Sequence, residues 1–547
     1  MNPADLSAAI RACLAAAVAA GELTVDLPAE VRVERPKQRE HGDWSTNVAM
    51  QVAGQAGKPP REVAAMIAPR LGEVVGVKSV EVAGPGFLNI VLDAAAAGEL
   101  ARTIVEAGSA YGRSGALAGH VVNLEFVSAN PTGPLHIGHT RWAALGDALG
   151  RLLTAAGAQV TREFYVNDFG AQMDRFGRSI LARLRGVEVP EGGYRGEYVG
   201  ELAEKVRAAR PEVDTLGDDE AAQVCREEGY RQQLAEIRQT LEDFGVHFDV
   251  WFSERTLHES GAVAAAVARL REQGHVDDAD GAVWLRTTDF GDDKDRVLIR
   301  ADGEPTYFAA DAAYYLSKSD RGFGEKVYML GADHHGYVQR LKAIAACAGD
   351  DPEANIEVLI GQLVSVGGAK LSKRAGNIIE LRDLVEWLGA DAVRYSLSRY
   401  PADSPLTLDG EVLTRRSNDN PVFYVQYAHA RISGIVRNAP DAGVRMTDGF
   451  EPALLDHETE SVLLAALGEF GRIVAQAAEL REPHRVARYL EELAGHFHKW
   501  YDSCRVTPRG EEPVTAVHRS RLWLAEATRT VLANGLGLLG VSAPERM

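Results

Sequence analysis

Cysteine is scarce: Cys13, Cys225, Cys347 and Cys504 are scattered through 547 residues, each more than 100 positions from the next. With no CxxC and no Cys/His cluster, the sequence offers neither a zinc site nor a disulfide framework, which suits a reducing compartment. Long hydrophobic runs are also missing near the start. The stretch Ala12 to Ala20 is too short to span a bilayer, and Asp5 precedes the first basic residue, Arg11, so neither a membrane segment nor a signal peptide is expected and the expected location is the cytoplasm. Excess positive charge is absent too. With 59 Lys and Arg against 78 Asp and Glu, the formal charge is -19. That excludes indiscriminate binding of polyanions, and any nucleic-acid partner must be met by local basic surfaces. There is no GxxxxGK[ST] and no GxGxxG after a strand, which removes a P-loop and a dinucleotide site.

What is present divides the chain into three textures. Residues 1–112 read as a small α+β unit, with an Ala-rich helix near Leu6 to Ala20 and short alternating strands at Val80 to Val82 and Phe87 to Val91. Residues 113–404 read as βα units. The strand Val121 to Phe126 leads through a polar loop into the helical run Arg141 to Ala156, and another strand follows at Arg162 to Asn167. This alternation predicts an α/β fold with a doubly wound parallel sheet, whose ligands sit beyond the strand carboxyl ends. Charged helical stretches over 175–290 are expected to be largely an insertion, and the alternation resumes at Asp295 to Ile299, Val327 to Leu330 and Val358 to Ile360. Residues 405–547 show helical spacing only, as in Leu463, Leu467, Phe470 and Val474, and predict an all-helical bundle.

Two strings carry chemistry. Pro131-Thr132-Gly133-Pro134-Leu135-His136-Ile137-Gly138-His139 falls where a strand ends and a helix begins. A helix start carries roughly half a positive charge and unpaired N–H groups, so it attracts phosphate; Gly138 allows close approach, and His136 and His139 share one helix face. The second string, within the glycine-bounded segment 367–377, is Lys370-Leu371-Ser372-Lys373 followed by Arg374. Alone, such a cluster describes a solvated face. Paired with a histidine-bearing helix start it gains a chemical role, because Lys370 and Lys373 can close over a triphosphate and neutralise departing pyrophosphate.

These strings resemble the HIGH and KMSK motifs of class I aminoacyl-tRNA synthetases, with Leu371 in place of the more usual methionine, a volume-conserving exchange. The resemblance narrows to the arginyl-tRNA synthetases through Glu125 to Gly133, Tyr165 to Gly170, Asp293 to Arg300, Tyr307 to Asp311, Gly331 to Gly336 and Asn420 to Ala428, while Gly84 to Asn89 is similar to the family's extra amino-terminal domain. It implies a Rossmann-type catalytic domain that binds ATP through Pro131 to His139 and Lys370 to Lys373. It also implies Mg²⁺ carried by ATP with no dedicated protein ligand, and L-arginine and tRNA(Arg) as partners of a monomer. By that resemblance Tyr307 and Asp311 read the guanidinium, while Ser128, Asn130 and His139 hold the amino-acid backbone, with Glu125 nearby and His335 a further candidate. The carboxy-terminal bundle would read the anticodon. From Pro405 onward it holds 16 Lys and Arg, 15 of them Arg, against 19 Asp and Glu, and Tyr424, Tyr427, Trp500 and Tyr501 are its aromatic candidates.

Each assignment has a plainer competitor. Asp311 could cap a helix, Tyr307 and most tyrosines of the bundle could fill cores, and Asp168 and Asp333 could be structural. Glu125 on an apolar strand must have a partner. A small-molecule adenylyltransferase or pantothenate-type ligase would share the histidine chemistry but would not need the helical tail. An RNA-binding relic would have no reason to keep both histidines and both lysines.

Overall fold

The computed structural model describes residues 3–29, 31–36, 38, 41–367 and 379–547. The helix Pro3–Ala19 buries Leu6, Ile10, Cys13, Leu14 and Ala17, a stripe at helical spacing. It packs with two further helices against an antiparallel sheet of β1 (Trp44–Thr46), β2 (Val77–Ala83) and β3 (Phe87–Leu92), in the order β1-β3-β2.

The central sheet contains β4 (Val121–Glu125), β5 (Gln159–Val166) and β6 (Val250–Ser253). A small meander of β7 (Val276–Ala279), β8 (Ala282–Leu285) and β9 (Arg296–Ile299) follows, and the central sheet then resumes with β10 (Glu325–Gly331) and β11 (Ile356–Gly361). All five central strands are parallel, in the order β11-β10-β4-β5-β6. The winding reverses between β4 and β10, so a crevice opens at their carboxyl ends. The helix Ile137–Ala155 packs its apolar residues, including Trp142, Leu145, Leu149 and Leu152, into the core on one side of the sheet.

Three expectations need correction. The span 175–290 is not one insertion: β6 lies inside it and forms an edge of the parallel sheet. Helices Ala171–Arg185, Glu197–Ala209 and Asp218–Asp243 gather around a separate small core of Met173, Phe176, Ile180, Val199 and Leu202. The strand at Asp295 to Ile299 belongs to the antiparallel meander, not the parallel sheet. There, Asp280 and Gly281 both adopt positive φ (53° and 76°), the turn that an Asp-Gly pair favours between β7 and β8. Strands also do not end at 405, because β12 (Val364–Gly367) pairs in parallel with β13 (Leu406–Asp409).

The carboxy-terminal bundle comprises Pro421–Asn438, Glu458–Gly468, Phe470–Glu479, His484–Ser503 and Ala516–Leu538. Leu463, Leu467, Phe470 and Val474 are fully buried, as their spacing predicts. The stretch Glu458–Glu479 is long and apolar enough by composition to cross a membrane, but more than half of its most apolar window is buried inside the bundle, in keeping with a core element.

One buried arginine joins bundle and sheet. Arg394, 1% exposed, donates to the carboxylate of Asp147 on Ile137–Ala155, to Phe244 O at 2.9 Å and to Leu539 O at 3.3 Å. Removing one member of such a group strands the rest in a dry interior. Arg394→Leu is expected to cost about 3 kcal/mol or more, read as a lowered guanidinium midpoint; a loss below about 1 kcal/mol would show that the pair is dispensable.

Candidate active site

At the carboxyl end of β4 the chain turns sharply. Val127 and Ser128 take φ of 65° and 43°, a left-handed conformation that non-glycine residues adopt at a cost of about 1–3 kcal/mol each. The turn aims Ser128 back at the sheet, where its Oγ donates to Glu125 Oε1 at 3.1 Å and accepts from Tyr165 N at 3.1 Å. Downstream, Tyr198 Oη donates to Thr132 O at 2.9 Å and fixes the loop that enters the helix.

His136 is the N-cap of Ile137–Ala155. Its Nδ1 accepts from Gly138 N at 3.1 Å, and the Nδ1 of His139 accepts from His136 N at 3.3 Å. With Nδ1 accepting in both rings, each neutral imidazole carries its proton on Nε2. The rings lie 3.9 Å apart between centroids. Burial lowers the pKa of His136, and burial together with His136 lowers His139 to about 4, so both are neutral donors at pH 7.

These residues open onto a cavity of about 1020 Å³ at the β4/β10 crevice. Of the sequence-predicted residues, Glu125, Ser128, Asn130, His136, Gly138, His139, Tyr307 and Asp311 line it. Pro131 to Leu135 and Ile137 are not among its lining residues; Leu135 O accepts from Leu381 N at 2.8 Å and Ile137 N donates to Ile379 O at 2.9 Å. Those contacts tie the histidine string to the residues that follow 368–378, while Leu363 and Val364, just before that segment, line the cavity. Lys370, Leu371, Ser372 and Lys373 lie outside the described residues.

The acid-lined end of the cavity differs from the expectation in detail. Glu125 has an internal partner: Lys318 Nζ, fully buried, donates to its Oε2 at 2.6 Å. Asp311 is not a cap; Thr306 caps that helix, and Asp311 sits one turn after Tyr307 on the same face. Tyr337 Oη donates to Asp311 Oδ2. Burial raises the Asp311 pKa to about 6 despite that hydrogen bond, with Glu125 adding to the rise and Arg340 opposing it. Glu254, 3% exposed, lines the same space, and burial raises it to about 7 against a hydrogen bond from Tyr165.

Glu254 and Tyr337 were missed in the sequence. Glu254 follows the carboxyl end of β6, a signal hidden when that strand was assigned to an insertion. His335 is a correction. The turn Ala332–Tyr337 is a 3₁₀ helix, in which side chains three apart eclipse, so His334 and Tyr337 line the cavity while His335, exposed like His334, is outside its lining. Asp168, 2% exposed, accepts from Tyr230 Oη, Ser253 Oγ and Arg255 N, and clamps β5 to β6. No group of three or more potential metal ligands occurs among the described residues.

In the bundle Trp500 is fully buried, which corrects its assignment to an RNA surface. Tyr424, Tyr427 and Tyr501 retain exposure; Arg431 lies 4.2 Å over the Tyr501 ring and 5.9 Å from Tyr427, beside His498.

Comparison with known proteins matches all three parts of the chain. The model of the class I (R) tRNA synthetase catalytic domain matches residues 104–186 and 198–395. The arginyl tRNA synthetase N-terminal domain model matches 4–92, and the DALR anticodon-binding domain model matches 425–547. The fold is therefore that of a class I tRNA synthetase. Relatives named arginine–tRNA ligase from Paenarthrobacter aurescens and Micrococcus luteus are 67% and 65% identical, each aligned over 100% of both chains. The chain belongs to the arginyl-tRNA synthetases. The solved Thermus thermophilus arginyl-tRNA synthetase shares its fold with a TM-score of 0.75 over 100% of both chains at 23% identity.

Asp311 and Glu254 have folded-state pKa values above those of the free side chains. Their contribution to stability is thus complete below about pH 4 and is lost as pH rises through about 6 to 7. Asp311→Asn combined with Glu254→Gln should flatten the pH dependence of Tm between pH 5 and 8; an unchanged slope would show that neither carboxyl is held protonated.

Proposed function

We propose that the protein activates L-arginine with ATP to arginyl-adenylate and transfers the arginyl group to the terminal adenosine of tRNA(Arg), with Mg²⁺ carried in on ATP. The observation that carries this reading is the meeting, in one cavity, of two neutral imidazole donors at a helix start with two carboxyls that have no fixed Lys or Arg partner among the described residues. The first pair suits phosphate oxygens; the second suits a planar cation with five donors.

Asp311 and Glu254 pair with the guanidinium, assisted by Tyr307 and Tyr337. Ser128, Asn130 and His139 orient the arginine carboxylate. That carboxylate is already ionised, so its oxygen attacks the α-phosphorus without a general base; the new C–O–P linkage forms as the bond from the α-phosphorus to the bridging oxygen breaks and pyrophosphate leaves. Nε2–H of His136 and His139, and the ammonium groups of Lys370 and Lys373, balance the charge that moves onto the phosphates. In the second step the 2′-hydroxyl of the tRNA adenosine attacks the arginyl carbonyl carbon and AMP departs. Bound tRNA is expected to be needed before arginine is activated. Tyr424, Tyr427 and Tyr501, with Arg431, offer the anticodon stacking faces and a cation.

Pyrophosphate exchange into ATP, run with each of the twenty amino acids and with tRNA present, should respond to arginine alone. Exchange driven by an acid such as pantoate would overturn the proposal. In the same assay Asp311→Ala should cost about 2–5 kcal/mol in arginine use, through loss of one partner of a desolvated charge pair. His139→Ala should slow exchange by roughly 100-fold with filter binding of tRNA kept; the opposite pattern would remove the imidazoles from the phosphate site.

A further inference from the structure

A second cavity, of about 330 Å³, lies away from the crevice where three parts of the chain meet: the linker residues Ser109 to Arg113, the end of the helix Ile137–Ala155, and Ala533 to Leu538 of the last helix. Asn534 Nδ2 seals one side by donating to Gly108 O at 2.9 Å and Tyr111 O at 3.1 Å. Arg113, Arg151 and Arg162 line it, and no carboxylate does.

Two of these guanidinium groups are underused. Arg162 has a buried Nε with no hydrogen-bond partner and reaches Asp147 only at 3.9 Å; Arg113, at the mouth, has no ion pair among the described residues. Among the described residues Asp147 is the one carboxylate paired with these guanidinium groups, and it already serves Arg151 at 2.7 Å and buried Arg394; Asp249 accepts from the Arg162 backbone N at 2.7 Å. The plainer reading makes the arginines counter-charges to the three helix carboxyl ends that meet here, those of Ala94–Ala107, Ile137–Ala155 and Ala516–Leu538. Each end supplies only roughly half a negative charge, so four guanidinium groups against Asp147 and the three ends leave a surplus of about 1.5. A surplus of that size in a partly dry recess calls for an anion, and guanidinium forks match phosphate oxygens.

We propose that this cavity binds a free phosphate-type dianion, clamping linker, catalytic helix and terminal helix together. The test is calorimetric titration of the full-length protein with inorganic phosphate at constant ionic strength, with the main cavity saturated by arginine and a non-hydrolysable ATP analogue. Wild type should bind one phosphate, and Arg113→Ala and Arg162→Gln should each weaken binding by about tenfold or more with pyrophosphate exchange unchanged. Arg113 is exposed, so its variant stays informative if Arg162→Gln fails to fold. Absence of phosphate binding by wild type, or binding indifferent to Arg113→Ala, overturns the proposal. So does a loss of tRNA binding in Arg113→Ala without any phosphate uptake, which would assign the recess to the RNA backbone.

Discussion

Glu125, Glu254 and Asp311 converge on the space beyond β4, and the described residues supply a fixed Lys or Arg to only one of them. Lys318 satisfies Glu125 from beneath the cavity floor, over the rings of Tyr314 and Tyr328. No lysine or arginine lies within 4 Å of Glu254 or Asp311 among the described residues, and the imidazole 3.7 Å from Glu254, His258, is held toward its neutral form by burial. Burying a carboxylate without a cationic partner is unfavourable, and the raised pKa values are the form that cost takes. Such a site is relieved by a cation that arrives with the substrate.

The rest of the architecture arranges this imbalance beside a phosphate site. Reversal of the sheet order between β4 and β10 opens the crevice; the strained turn at Val127 and Ser128 brings the chain across it; and the helix that starts at Ile137 presents its amino end with two imidazoles already committed through Nδ1. The donors are oriented before any nucleotide arrives, so little reorganisation is left for the reaction itself. Arg141, whose guanidinium donates to the carbonyls of Gln362, Pro401 and Ser404, ties the same helix to the rim around β12.

Much of this was legible in the sequence because it depends on local rules. A strand, a Pro/Gly-rich loop and a histidine-bearing helix start can be read from neighbours, and Tyr307 and Asp311 share a face through helical spacing alone. The bundle was legible for the same reason. What escaped were features set by pairing at long range. β6 is four residues long and looks like any short apolar run, so its place at the sheet edge, and with it the role of Glu254, depended on Glu163 to Val166 lying alongside. The strand at Arg296 to Ile299 reads the same in a parallel or antiparallel sheet until the connection over 286–295 folds it back against β8. Whether Trp500 or Tyr501 faces solvent is a matter of about 100° of helix rotation, which only the packed bundle decides.

The central claim is that two carboxyls wait partly protonated for a guanidinium, which must displace their protons when it binds. Calorimetric titration of arginine in buffers of different ionisation enthalpy counts those protons directly. Net proton release near pH 6.5, fading toward zero by about pH 8.5, is the predicted result given pKa values of about 6 and 7. Arginine binding with no proton release at pH 6.5 would contradict the account.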